Sequence, residues 1–272
     1  MGACSHEHAA AAPLRAVTVA FALTAVFFVV ELLGGWWTGS LALIADAMHM
    51  AIDLLALGMT IFAVFMSRRP PDAKRTFGYK RVEVLAALGN GAALWVATGV
   101  ILREAWSRLV FPMPIAAPQM VGIAVVGLLC NVTTGAILYR SSRQNINLRG
   151  AFLHVVADAM GSLGAIAAGL VIMKTRWYQA DALASALICL GIVFTSYWLL
   201  RDSIHILLEG APPHLDLEEI RLALAAIEGV TEVHDLHLWS LTQGSESMSG
   251  HLVVEAGRDS DSVLKVGTQM LQ

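Results

Sequence analysis

Charge is what this sequence has least of. Only 14% of its residues are Asp, Glu, Lys or Arg, while 57% are hydrophobic and the mean hydropathy is +0.65. A soluble domain carries about 25% charged residues, so a soluble globular fold is excluded and a polytopic membrane protein is expected. Cysteine is scarce too. Cys4, Cys130 and Cys189 form no CxxC pair, and two of them lie in apolar runs, where they read as packing residues. The HExxH of an intramembrane metallohydrolase is missing. The net charge of -3 says little, because in a membrane protein the position of each charge matters more than the sum.

What is present is six apolar stretches long enough to cross a bilayer: Leu14–Trp36, Leu41–Met66, Val82–Trp106, Ala117–Tyr139, Arg149–Met173 and Asp181–Leu200. The first is too long for the apolar region of a signal peptide, and the chain is expected to keep it. Lys and Arg divide unevenly between the two sets of connecting segments. Eleven fall in the amino-terminal segment, the second and fourth loops and the segment after span six, against four in the other loops. That asymmetry puts both termini in the cytoplasm. Trp36, Trp37, Trp106 and Trp177 then sit at outer ends of spans, where an amphipathic ring suits the interface.

Against this apolar background two polar pairs stand out. His49 and Asp53 are four residues apart in span two, and His154 and Asp158 repeat the spacing in span five. Residues four apart share a helix face, so each span offers an imidazole and a carboxylate in one direction. With six spans and both ends inside, spans two and five are antiparallel, as in an inverted repeat with its site between the halves. His49 should then lie beside Asp158, and Asp53 beside His154, near the midplane. A single pair of this kind could be a structural His–Asp contact. Two on separate spans point to a functional site, because ionisable groups inside a bilayer are costly unless paired. Two nitrogens and two oxygens suit a borderline cation, Zn2+ first, with Cd2+ or Co2+ as alternatives. These ligands bind metal only when deprotonated, so metal and protons compete for the site. A haem carrier would give no role to the two aspartates.

Other polar residues have less definite roles. Asp46, one turn before His49, could orient its imidazole, ligate the metal directly, cap a helix or simply pack, and Ser162 is a similar case after Asp158. Glu31, Asn90 and Asn131 are candidates for hydrogen bonds between helices. Gly161, Gly164, Ala165, Ala168 and Gly169 favour close helix approach along span five. The tail from Met1 to Pro13 carries Cys4, His6, Glu7 and His8, which could capture metal loosely. The second loop is basic, and positive-inside anchoring or contact with anionic lipid explains it.

After Leu200 the composition changes. Gly210-Ala211-Pro212-Pro213 breaks the last helix, Leu215–Glu228 has amphipathic helix spacing, and Thr231–Leu241 and Ser249–Ala256 read as strands. Ser260–Leu271 reads as a further helix. The division expected is a tail over 1–13, a six-helix transport domain over 14–208 and a cytoplasmic domain over 209–272.

The segments ADAMHMAID, RRPPDAKRTFGYKRVEVLAALGNG, HVVADAMGS and HDLHLWSLTQG together resemble the cation diffusion facilitator family of zinc transporters. The resemblance covers all six spans and the tail. It implies an all-α transmembrane domain followed by a small α+β ferredoxin-like cytoplasmic domain, a homodimer, and antiport of Zn2+ against protons in a bacterial cytoplasmic membrane. It implies metal binding by His49, Asp53, His154 and Asp158, and regulatory Zn2+ binding at His234, Asp235, His237 and His251. Its partners are then Zn2+, protons, lipid and a second copy, with no nucleic acid. The family pattern continues into a further strand, whereas this sequence ends at Gln272 as a naturally short or a truncated chain.

Overall fold

The computed structural model describes residues 5–142 and 146–270, with side chains over 22–139 and 152–269. Cys4 and the side chains of His6, Glu7 and His8 lie outside the described residues. Six long helices come first: α1 (Ser5–Thr38), α2 (Leu41–Ser67), α3 (Arg81–Val110), α4 (Ala117–Ser142), α5 (Ile146–Thr175) and α6 (Gln179–Leu207). They are followed by α7 (Leu217–Ala225), β1 (Val230–Thr242), β2 (Ser245–Val254) and α8 (Ser260–Met270). Among the described residues, five helices, α2 to α6, are long and apolar enough to cross a membrane, and Ala22–Thr38 of α1 is a shorter apolar stretch. The chain is an integral membrane protein with a small α+β domain at its end. Helix α1 begins at Ser5 rather than at Leu14, because the Ala-rich segment that follows has high helix propensity.

Two compact units emerge: the chain up to Gly58 with Asn90–Tyr197, and Met59–Gly89 with Trp198 onward. In the first, α2 is the central element. Ala42 and Leu43 pack on Met120 and Ala124 of α4, Ala165 and Ile172 of α5, and Ala180 and Ala184 of α6. Leu41 and Ala45 meet Ile101 and Ala105 of α3 and Cys189 of α6, and Ile52 meets Leu94 and Ile192. Cys189 is fully buried there, in the packing role expected of it.

Small residues set the helix spacing, since lipid gives helices no hydrophobic drive to associate. A Cβ on Gly169 of α5 would come within 2.4 Å of Val121 of α4, and one on Gly127 within 2.3 Å of the Phe27 ring.

The start of α2 is held by a side chain from α6. Asp181, fully buried, accepts hydrogen bonds from Ser40 Oγ at 2.6 Å, Leu41 N at 2.6 Å and Ala42 N at 3.2 Å. The last two are amide groups that a helix cannot satisfy internally, and the carboxylate also complements the positive end of the helix dipole. Arg108 of α3 donates to the Gly39 carbonyl just before, so the turn between α1 and α2 is held from two helices.

In the second unit, β1 and β2 form a two-stranded antiparallel hairpin around Gly244, whose φ of 73° suits a tight turn. Asp216 caps α7 by accepting from Glu218 N and Glu219 N. The apolar faces of α7 and α8, with Leu224, Ile227 and Val263, pack against Val233, Leu236 and Leu252 of the sheet. Helix, strand, strand, helix is the expected order. β2 starts four residues earlier than its apolar pattern suggests, because the polar run Ser245–Met248 pairs with the end of β1.

Replacing Asp181 by Ala leaves two buried amides and a hydroxyl without their acceptor, at a cost of about 2–3 kcal/mol. Thermal unfolding of the detergent-solubilised chain should show a clearly lowered midpoint for Asp181→Ala and a smaller drop for Asp181→Asn, whose amide oxygen still accepts. An unchanged midpoint for the Ala variant would contradict the capping role.

Candidate metal centre

Helices α2 and α5 carry their polar pairs to one place. His49 Nε2 lies 3.4 Å from Asp53 Oδ2 and 3.8 Å from Asp158 Oδ1. His154 Nε2 lies 3.2 Å from Asp53 Oδ2 and 3.7 Å from Asp158 Oδ2. The two imidazole centroids are 5.3 Å apart. Each imidazole therefore has one carboxylate from its own helix and one from the facing helix, the crossed arrangement that antiparallel helices require.

The spacing has a chemical meaning. Ligand atoms placed tetrahedrally at 2.0–2.1 Å from a zinc ion are about 3.3 Å from one another. Contacts to Asp53 at 3.2 and 3.4 Å match that edge, whereas those to Asp158 are longer, 3.8 Å from His49 to Oδ1 and 3.7 Å from His154 to Oδ2. His49, Asp53 and His154 offer three ligand atoms within 4.8 Å of one another. Although Asp53 Oδ2 sits close to both imidazoles, it is a buried oxygen with no hydrogen-bond partner, and so is the His49 Nδ1 nitrogen. Buried polar atoms in that state are uncommon and want an explanation.

Access to the four residues is unequal. The side chains of His49 and Asp158 are 14% and 9% exposed, those of Asp53 and His154 30% and 47%. A cavity of about 810 Å³ reaches His49, His154 and Asp158 between α5 and α6 and extends to Trp177 at the turn joining those helices. Its walls beyond the site are mostly apolar and small, with Gly161, Gly164 and Ala168 on α5 and Ala184 and Gly191 on α6.

Asp46 needs a correction. It makes no hydrogen bond to His49, whose Nδ1 has no partner. Three residues earlier on the helix, Asp46 is rotated by about 60° from His49, toward α1 and α5. There it is buried, with Oδ1 3.4 Å from where a Cβ on Gly161 would lie, and it lines the cavity that reaches His49, His154 and Asp158. Ser162 finds its partner elsewhere: Asn131 Nδ2 of α4 donates to its Oγ at 3.4 Å. Asp181 was visible in the sequence only as the first charged residue of span six. Its position opposite the start of α2, which carries half of the site, depends on tertiary packing.

A second cluster lies in the hairpin. His234 of β1 is directly opposite His251 of β2, their rings 5.2 Å apart. Asp235 would ordinarily point to the other face of the sheet. A bulge falls between His234 and His237, and Asp235 takes up a φ of 51°, a conformation that Asp tolerates better than most residues. This swings its Oδ2 to 3.2 Å from His234 Nδ1 and 3.4 Å from His251 Nδ1. All three side chains are exposed. His237 does not join them: beyond the bulge it pairs with Ser249 and lines a different cavity.

Comparison with known proteins agrees with this architecture. The family profile described as "Cation efflux transmembrane domain" matches residues 17–208, and that described as "Cation efflux protein, cytoplasmic domain" matches 212–272. The chain is 42% identical over 252 residues to "Zinc transporter ZitB" of Escherichia coli, covering 92% of this chain and 80% of that protein. It is 37% identical over 252 residues to "Cadmium, cobalt and zinc/H(+)-K(+) antiporter" of Bacillus subtilis, covering 92% and 81%. To "Metal cation efflux system protein CzcD" of Cupriavidus metallidurans it is 40% identical over 249 residues, covering 92% and 78%. The chain belongs to the cation efflux, or cation diffusion facilitator, family, and is a transporter rather than an enzyme.

Proposed function

We propose that the protein is a proton-coupled antiporter that exports Zn2+, and to some extent Cd2+ or Co2+, from the cytoplasm, with His49, Asp53, His154 and Asp158 as the ligands of the transported ion. The observation that carries this reading is the crossed His–Asp arrangement of α2 and α5 at near-tetrahedral spacing. The names of the relatives favour zinc as cargo. Residues 14–208 form the transport domain in this reading, and 209–272 a cytoplasmic regulatory domain through which two copies associate, with both termini cytoplasmic.

The mechanism follows from the ligand types. An imidazole or a carboxylate donates a lone pair to the ion only after losing its proton. Arrival of the ion therefore expels protons, and protons arriving from the other side expel the ion. Exposure of His154 and Asp53 beside the buried His49 and Asp158 gives the site one open side, as alternating access demands of each state.

Zinc uptake into inside-out vesicles under a pH gradient tests the assignment. Asp53→Ala and Asp158→Ala should each abolish it and weaken zinc binding by more than the about 10–100-fold that losing a supporting partner costs. Uptake persisting in both variants would refute the site. Acidification should weaken zinc binding to the solubilised protein at least about tenfold between about pH 7.5 and about 6, since the ligands take up protons. A pH-independent affinity would rule out competition at these residues.

The hairpin cluster supports a second reading, regulatory zinc binding at His234, Asp235 and His251. Both His234→Ala and His251→Ala should shift the zinc concentration at which transport saturates and leave the maximal rate standing. His237→Ala, outside the cluster, should shift it little. Complete loss of transport in His234→Ala would be incompatible with a regulatory role.

A further inference from the structure

The segment joining α2 to α3 is built around Asp72. Its Oδ1 accepts from Lys74 N and Arg75 N at 2.8 Å each, and its Oδ2 accepts from Tyr79 Oη at 2.7 Å. The Tyr79 hydroxyl and the two amides hold the Asp72 carboxyl below the usual carboxylate range. Because that folded value is depressed, the turn is intact at neutral pH and loosens only as acid protonates the carboxylate. Arg75 lies 4.8 Å over the Tyr79 ring. The turn thus fixes the backbone from which the basic side chains project.

Those side chains surround one cavity of about 780 Å³, with Lys74, Arg75, Lys80 and Arg81 on one side and His237 and Trp239 on the other. Its one lining carboxylate is Glu209, and that is already paired with Arg81 at 2.7 Å. Asp72 offsets part of the charge of Arg75 from within the turn. Lys80 donates to a neutral oxygen, Ser245 Oγ, at 2.9 Å, and Lys74 has no carboxylate partner among the described residues. At least two positive charges therefore remain around the cavity, next to an apolar wall where Phe77 meets Trp239 edge to face at 6.3 Å. Ammonium and guanidinium groups beside an aromatic wall suit a phosphate-bearing anion with an apolar body. The basic residues also follow the end of the apolar helix α2 at Ser67 by a few residues, and α3 starts at Arg81. An anion presented at a bilayer surface is within reach.

We propose that this cavity is a binding site for a phosphate-bearing anion, and that its occupant is the headgroup of an anionic phospholipid. His237, which the bulge separates from the metal cluster, serves this site as a hydrogen-bonding wall. The occupant would tie the α2–α3 segment to the hairpin at a point where both already touch through Lys80 and Ser245.

The test titrates the full-length chain in a neutral maltoside detergent with short-chain phosphatidylglycerol, short-chain phosphatidylcholine and inorganic phosphate, following heat. Saturable, salt-sensitive binding of phosphatidylglycerol but not of phosphatidylcholine is expected. The Lys74→Gln/Lys80→Gln variant should weaken it by on the order of 30-fold, from about a factor of five per lysine near an anionic group. Arg68→Gln/Arg69→Gln, which removes the same charge outside the cavity, should leave it unchanged. If inorganic phosphate binds as tightly as the lipid, the anion site stands and the lipid is overturned as its occupant. No saturable binding of either, or equal weakening in the two double variants, overturns the site.

Discussion

Four ionisable side chains sit among apolar helices in this protein, and each would cost several kcal/mol there without a partner. The crossed contact between His49–Asp53 and His154–Asp158 resolves that cost in one place. It also constrains the bundle. Helices α2 and α5 must run in opposite directions, meet at one level and stay in register to within about a turn, or two imidazoles and two carboxylates are left unpaired in lipid. The small residues of α5 permit the approach, and the buried Asp181 fixes the axial position of α2 by holding its first amides. One electrostatic requirement thus accounts for helix direction, helix spacing and the capping of α2.

Much of this was legible in the sequence because it depends on periodicity. A helical repeat of 3.6 residues puts positions four apart on one face, so the HxxxD spacing could be read as geometry. Apolar length predicted α2 to α6, with α6 running seven residues beyond the expected Leu200, and three crossings from α2 to α5 give those helices opposite directions. What escaped was set by contacts between distant segments. Asp46 resembles a partner for His49 by spacing alone, but its direction along the helix takes it toward Gly161 of α5. Asp181 is 140 residues from the amide of Leu41 that it caps. No local pattern announces that pairing.

The hairpin shows the same limit in another form. Alternation in a strand would place His234 with Leu236 on one face and Asp235 with His237 on the other. The extra residue of the bulge breaks that parity, brings Asp235 to the side of His234 and His251, and leaves His237 in the basic cavity. A motif read as one metal-ligating run is therefore divided between two surfaces. The division depends on a single left-handed residue, Asp235, one of three non-glycine residues with positive φ among the described residues.

The ligand chemistry bears on the choice between transport and hydrolysis. A hydrolytic metal needs a position left open for water and a base to take its proton. Here two imidazoles and two carboxylates from α2 and α5 lie at 3.2–3.8 Å contacts, and no residue stands where the base of a hydrolase would be needed in the HExxH pattern. Four protein ligands would hold an ion without activating anything on it, which suits the cargo of the proposed transport. It also makes release the difficult step, and His and Asp allow it because protonating any one of them removes a ligand. In the proposed antiport, the uneven exposure of the four side chains would give that proton a route. His154, the most exposed of them, faces a cavity whose charged or ionisable lining groups, among the described residues, are Asp46, His49, His154 and Asp158, so the walls beyond them offer nothing to hold a proton back.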